Sequence, residues 1–62
     1  MPFTIVLLND TTELGSIPRG ESLREATAYA LSRFAVERVR HQATEVQVRN
    51  EFGDILFRHK PE

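Results

Sequence analysis

The first residue that could do chemistry is Pro2, which follows the initiating methionine. Removal of Met1 would make Pro2 the amino terminus and expose a secondary amine. The pKa of such an amine can be shifted toward neutral pH, as a general base requires. Pro2 is therefore the one candidate catalytic residue, although many proteins without catalytic activity also begin with Met-Pro.

His41 and His59 are the two histidines of the chain. In the hairpin register predicted below, His59 lies across from Thr44, near the chain that leaves the helix, so the two imidazoles could approach each other. With a carboxylate such as Glu37 they could hold a divalent metal ion. No HExxH or comparable spacing supports this, and a solvated histidine beside a helix end is the ordinary case. We therefore predict no metal site and no cofactor.

The second half of the chain carries basic side chains that could bind a phosphate, a nucleotide or an acidic peptide. This anion-patch candidate consists of Arg38, Arg40, His41, Arg58 and Lys60. We favour the alternative, a solvated face that balances the negative end of a helix dipole. Nucleic acid is not a favoured partner, because the net charge is -1 and aromatic residues do not interleave with the basic ones.

No other set of side chains indicates catalysis or ligand binding. The sequence has no Ser/His/Asp set, no glycine-rich phosphate loop and no spaced pair of carboxylates. It also has no cysteine, which excludes disulfides and thiolate metal sites. These absences favour a non-enzymatic protein.

The length predicts a single domain, residues 1–62. A chain of this size buries only about 60% of its unfolded surface, so its core is small and oligomerisation is an available route to stability. The sequence contains no long apolar run and no leader pattern. It therefore predicts a soluble, cytoplasmic protein without a membrane partner.

Residues 3–8 are rich in β-branched and aromatic types and predict a strand that is apolar on both faces. Residues 9–21 contain two glycines and a proline, and predict a long connection. Leu14 and Ile17 are expected to pack this connection against the core. A short extra strand over residues 14–19 is an open alternative.

Ser22-Leu-Arg-Glu25 is a capping-box pattern, which predicts a helix that continues to Arg40 or His41. At 100° per residue, one stripe of this helix forms the core face. The stripe consists of Leu23, Ala26, Ala30 and Phe34. A second apolar strip on the far side consists of Ala28, Ala35 and Val39, flanked by Val36.

The chain from Thr44 to Lys60 predicts a β-hairpin, because apolar and polar residues alternate on both sides of a turn. A register that pairs Val48 with Ile55 and Val46 with Phe57 places all four on one face. Two opposite-charge pairs result: Arg49 with Asp54, and Glu45 with Arg58. The remaining loop, Asn50-Glu-Phe-Gly53, fits a type I turn. A two-residue loop at Phe52-Gly53 is the second choice.

These elements predict an α/β protein of the α+β type, with a single helix packed on a three-stranded sheet in the order β-α-β-β. One helix covers one face, so part of the other sheet face and the second helical strip should lack cover. Exposed apolar surfaces of this kind often form interfaces. The interface candidates are Val6, Leu8, Leu56, Ala28, Ala35, Val36 and Val39.

Two families resemble parts of the chain. The ending from Val46 to Phe57, the Met-Pro start and the helix introduced by Ser-Leu-Arg-Glu-Ala look like a bacterial family of short uncharacterised proteins, and this resemblance implies a fold but no site. Pro2, the strand after it and the length resemble, more weakly, small tautomerases of the 4-oxalocrotonate type. That resemblance implies a proline general base in an oligomer. The connection to the helix is longer here, and Arg19-Gly-Glu-Ser22 only loosely matches that family's Gly-Arg-Ser.

The most favoured function is therefore a small interaction module that binds itself or another protein. The alternative is a tautomerase-like enzyme that uses Pro2. A regulator that binds nucleic acid through the basic cluster ranks third.

Overall fold

The computed structural model describes residues 3–20 and 22–61. The elements in these residues are β1 (Thr4–Asn9), β2 (Thr12–Pro18), α1 (Leu23–Arg40), β3 (Glu45–Arg49) and β4 (Ile55–His59). The strands form one antiparallel sheet in the order β2-β1-β3-β4, and α1 packs on one face of it. The α+β class predicted from the sequence is confirmed.

The predicted three-stranded sheet and the order β-α-β-β are wrong. The chain turns back at Asp10, which adopts a left-handed φ of 56°, and residues 12–18 pair with β1 as a fourth strand. Because β2 reverses the chain before the helix, β1 lies antiparallel to β3. Gly15 and Pro18 weaken the strand signal in the sequence, but both residues are tolerated at the edge of a sheet.

The strand β1 lies in the middle of the sheet, which explains why it is apolar on both faces. On the helix side, Ile5 and Leu7 join Val46 and Val48 of β3 in the core. Phe57 and Ile17 pack against this cluster from the two edge strands. The core is therefore centred on β1 and β3.

The helix α1 begins as predicted, because the hydroxyl of Ser22 accepts a hydrogen bond from the Glu25 amide at 3.2 Å. Three residues of the predicted core stripe are buried: Ala26, Ala30 and Phe34. Leu23, at the open end of the stripe, is exposed. No helix in residues 3–20 and 22–61 is long and apolar enough to cross a membrane.

The predicted turn between β3 and β4 is confirmed. The Gly53 amide donates to the Asn50 carbonyl at 3.1 Å, and the φ of Gly53 is 89°. The predicted register is wrong by two residues, since Val48 pairs with Phe57 and Val46 with His59. The turn and a β-bulge each contribute one residue to the difference. The Asn50 amide donates to the Asp54 carbonyl, one residue beyond Gly53, and Ile55 pairs with Arg49, which leaves Leu56 as the extra residue.

Candidate functional site

A groove separates α1 from the edge strand β2, because the helix packs mainly on the two central strands. The groove has a volume of about 280 Å³. It is lined by Leu7, Leu14, Gly15, Ser16, Ile17, Arg33, Glu37 and His41. The helix supplies a polar wall and the strands supply an apolar one. We call this site the α1–β2 groove.

Gly15 keeps the strand side of the groove open. It pairs with Leu7, so a side chain at this position would share the helix-facing side of the sheet with Leu7. A Cβ built on Gly15 would meet no atom within 4 Å beyond its chain neighbours. Leu14 next to it is the extra residue of a β-bulge, since Leu8 pairs with Glu13. Bulges redirect side chains, and Leu14 here lines the groove.

The polar wall consists of three side chains spaced four residues apart, which places them on one side of the helix. Arg33 Nη2 lies 3.0 Å from Glu37 Oε2, and His41 Nδ1 donates to Glu37 Oε1. The Glu37 side chain is buried, whereas Arg33 and His41 are partly exposed. The carboxylate therefore fixes the positions of a guanidinium and an imidazole at the groove.

The hydrogen bond from His41 lowers the pKa of Glu37 below its ordinary value. Burial opposes this effect, while the charges of His41, Arg33 and Arg40 act with it. Glu37 is therefore an anion at neutral pH. It belongs to the core side of the helix, where a lone buried charge would be costly, and its two partners compensate that cost.

This arrangement can bind an acceptor group. A guanidinium binds carboxylates and phosphates through paired donors, and an imidazolium that donates from Nδ1 to Glu37 has a second N–H donor at Nε2. The spacing of Arg33, Glu37 and His41 was visible in the sequence, but it was not recognised as a cluster. From the sequence, Glu37 and His41 group with His59 as possible metal ligands, and His41 also belongs to the anion-patch candidate.

A second polar cluster lies on the sheet face opposite the helix, along β3. Glu45 Oε2 accepts from Gln47 Nε2 and from Arg58 Nε, each at 2.6 Å. Gln47 Oε1 accepts from Arg49 Nε at 2.9 Å and Nη2 at 2.6 Å. Arg49 Nη1 also lies 3.8 Å from Glu13 Oε2. The predicted pair of Glu45 with Arg58 is therefore confirmed, whereas Arg49 binds Gln47 and Glu13 rather than Asp54.

Hydrogen bonds keep Glu45 ionised. This residue is buried, although it lies on the sheet face that the helix does not cover. The bond from Gln47 lowers the pKa of Glu45, and the bond and charge of Arg58 add to the effect against the opposing effect of burial. Lys60 contributes a further positive charge. The polar cluster is therefore an ionised network that lies flat on the sheet.

Val6 and Leu8 flank this network and are only 2% and 7% exposed. The expectation that they lack cover in a single chain is wrong. Their cross-strand neighbours on both sides enclose them: Ser16 and Gln47 beside Val6, and Glu13 and Glu45 beside Leu8. Their role in an interface stays a prediction. The other interface candidates, Leu56, Ala28, Ala35, Val36 and Val39, are exposed.

The five residues of the anion-patch candidate lie on two faces of the molecule. Arg38 stacks its guanidinium 5.6 Å from the Phe34 ring centroid, and His41 contacts Glu37. Arg40 lies near Glu37 as well. Arg58 and Lys60 instead act on Glu45, across the sheet.

The two histidines lie on opposite flanks of α1. His41 lines the groove beside β2, whereas His59 on β4 packs edge-on against Phe34, with 5.5 Å between ring centroids. Within the described ranges, no group of three His, Cys, Asp or Glu side chains could hold a metal ion. Pro2, the catalytic candidate, lies outside the described residues.

Comparison with known proteins identifies no relative, since no family model, no curated protein and no solved structure matches this chain.

Proposed function

We propose that this protein is a small, non-enzymatic cytoplasmic interaction module that associates with a second copy of itself through the outward side of α1. The observation that carries this proposal is the exposure of large aliphatic residues there. Val39 is 84% exposed and Val36 is 41% exposed, on a helix whose opposite side buries Ala26, Ala30 and Phe34 in the core. Burial of such residues in a partner removes apolar surface from water.

The spacing of the exposed residues supports helix-to-helix packing. Ala28 and Ala35 are seven residues apart and Val39 follows four residues later, so the three share one side of α1. Alanine side chains let two helix backbones approach closely, and valine then fills the space between them. We call Ala28, Ala35, Val36 and Val39 the outer strip.

The size of the outer strip limits the strength of association. A helix of 18 residues is about 27 Å long. A standard interface buries about 800 Å² per partner, or about a fifth of the 4229 Å² accessible surface of this chain. The strip alone provides less than that. We therefore expect a reversible dimer with a dissociation constant in the micromolar range or weaker.

The test is the molar mass in solution, measured by light scattering from about 10 µM to about 1 mM protein, the range in which a micromolar dimer dissociates. Wild-type protein should shift from monomer toward dimer across this series. Val39→Glu should remain monomeric, because a charge would replace the most exposed apolar side chain of the outer strip and be buried in the interface.

Phe52→Glu is the matched control, since Phe52 is 79% exposed in the hairpin turn, away from α1. This variant should dimerise like the wild type. A wild-type chain that stays monomeric at the highest concentration, or equal dimerisation by Val39→Glu, would exclude self-association through the outer strip.

A further inference from the structure

We propose that the α1–β2 groove binds a small organic carboxylate, with the carboxylate at Arg33 and His41 and a short apolar body over Gly15. The groove volume of about 280 Å³ lies near the lower limit of small-molecule sites. A short acid fits this space better than a nucleotide or a peptide does.

The apolar side of the groove suits the body of such an acid. Leu7 is buried below it, and Leu14 and Ile17 stand on the strand side. Leu14 is 40% exposed, although the bulge turns it into the groove. An apolar ligand above Gly15 would therefore cover surface that the protein leaves in contact with water.

The polar side suits an anion. Arg33 Nη2 forms an ion pair with Glu37, but Arg33 Nε is buried and has no hydrogen-bond partner in the described part of the chain. Buried donors are normally paired, so the guanidinium still has hydrogen-bonding capacity for an acceptor in the groove. His41 uses Nδ1 for Glu37, and its protonated form keeps an Nε2–H donor for a second contact.

The occupied carboxylate of Glu37 disfavours a cationic ligand. Both of its oxygens already accept from the protein, Oε1 from His41 and Oε2 from Arg33. A ligand cation would find no free acceptor on Glu37 and would meet the charges of Arg33 and nearby Arg40. A single negative charge on the ligand complements these groups.

The probe is hexanoate, titrated into ¹⁵N-labelled full-length protein and followed by amide chemical shifts. The neutral amide hexanamide and inorganic phosphate, at equal ionic strength, are the matched ligands. We expect saturable shifts at groove residues with hexanoate. Hexanamide and phosphate should each bind about tenfold more weakly or worse, because one lacks the charge and the other lacks the apolar body.

Two pairs of variants locate the site. Gly15→Leu should weaken hexanoate binding at least about tenfold by filling the groove, and it leaves the partners of Glu37 intact. Thr12→Leu adds bulk at the far end of the same strand, at a position paired with Asn9 that does not line the groove, and should bind like the wild type. Arg33→Gln should also lose binding, whereas Arg38→Gln, beside Phe34, should keep it.

The proposal is overturned if hexanoate gives no saturable shifts, or if hexanamide or phosphate binds as tightly as hexanoate does. It is also overturned if folded Gly15→Leu protein binds like the wild type. This variant keeps the test decisive even if Arg33→Gln unfolds.

Discussion

Glu37 on α1 and Glu45 on β3 are buried carboxylates on opposite sides of one small sheet, and each is held by two side-chain donors. Glu37 binds Arg33 and His41, while Glu45 binds Gln47 and Arg58. Pairing of this kind compensates the loss of water around a charge. The difference lies in the surroundings, because Glu37 lines the α1–β2 groove. That is why we assign a ligand to the first cluster and a structural role to the second.

At the scale of a single residue, Gly20 is the glycine least tolerant of a side chain. Its φ is 85°, and a Cβ there would lie 3.2 Å from Ala26 N and 3.3 Å from Ala26 Cβ. Gly20→Ala should therefore lower the free energy of unfolding by about 1–3 kcal/mol, measured by urea denaturation.

Gly15→Ala is the matched control, since Gly15 has no left-handed φ and open space around its Cα. It should leave the free energy of unfolding unchanged or raise it by up to about 1 kcal/mol. Equal destabilisation by both variants would contradict the assignment of strain to Gly20.

At the scale of elements, the sequence predicts those whose signals are local. The helix start follows from the Ser22 cap, and the turn follows from Asn50 and Gly53. The hairpin register fails because the turn closes on Asp54 and a bulge leaves Leu56 unpaired, each of which shifts the pairing by one residue, and no local signal marks a bulge. The predicted sheet face of Val46, Val48 and Phe57 is still correct, since a register shift of two residues leaves each side chain on the same face of the sheet.

The α1–β2 groove could not be predicted, because it depends on where β2 lies. The segment reads as a connection with two glycines and a proline, and its pairing with β1 is a tertiary outcome. Without β2, Glu37 looks like an ordinary helix residue, and the spacing of Arg33, Glu37 and His41 looks like a solvated ion-pair row. The sequence shows the three residue types, but it does not show that β2 lies beside them.

The hairpin element depends on Asn50, whose side chain stabilises the turn. Asn50 Oδ1 accepts from the amides of Phe52 and Asp54, each at 2.9 Å. Asn50→Ala should lower the free energy of unfolding by about 1–2 kcal/mol, because two turn amides lose their partner. Thermal unfolding followed by circular dichroism measures this change.

Glu51→Ala, at the next and exposed position of the same turn, is the control and should change stability by less than about 0.5 kcal/mol. If the two alanine variants unfold at the same temperature, the side-chain bonds of Asn50 do not stabilise the hairpin.

At the scale of the whole molecule, one helix is too narrow for a sheet of four strands. It covers β1 and β3, leaves an opening beside β2, and presents an apolar outer strip. The proposed ligand site and the proposed self-association surface both follow from this geometry. They are tested separately, because Val39→Glu leaves the lining of the groove unchanged and Gly15→Leu leaves the outer strip unchanged.

The free energy of unfolding of the whole molecule should fall in acid, because two buried carboxylates have lowered pKa values in the folded state. Folding lowers the pKa of both Glu37 and Glu45, whereas in the unfolded chain they titrate near the ordinary value of about 4.3. The unfolded state therefore takes up protons first as the pH falls. Their contribution is present above about pH 5 and is lost progressively as the pH falls below about 4.3 through the lower folded pKa values.

The free energy of unfolding, measured with urea at a series of pH values, should thus be lower at about pH 3 than at about pH 6. The double variant Glu37→Gln/Glu45→Gln should be less stable than the wild type at the higher pH, because Arg33 and Arg58 lose their ionic partners. It should also lose less stability on acidification, since neither glutamine titrates. A double variant that loses as much stability in acid as the wild type would show that other groups control the acid sensitivity.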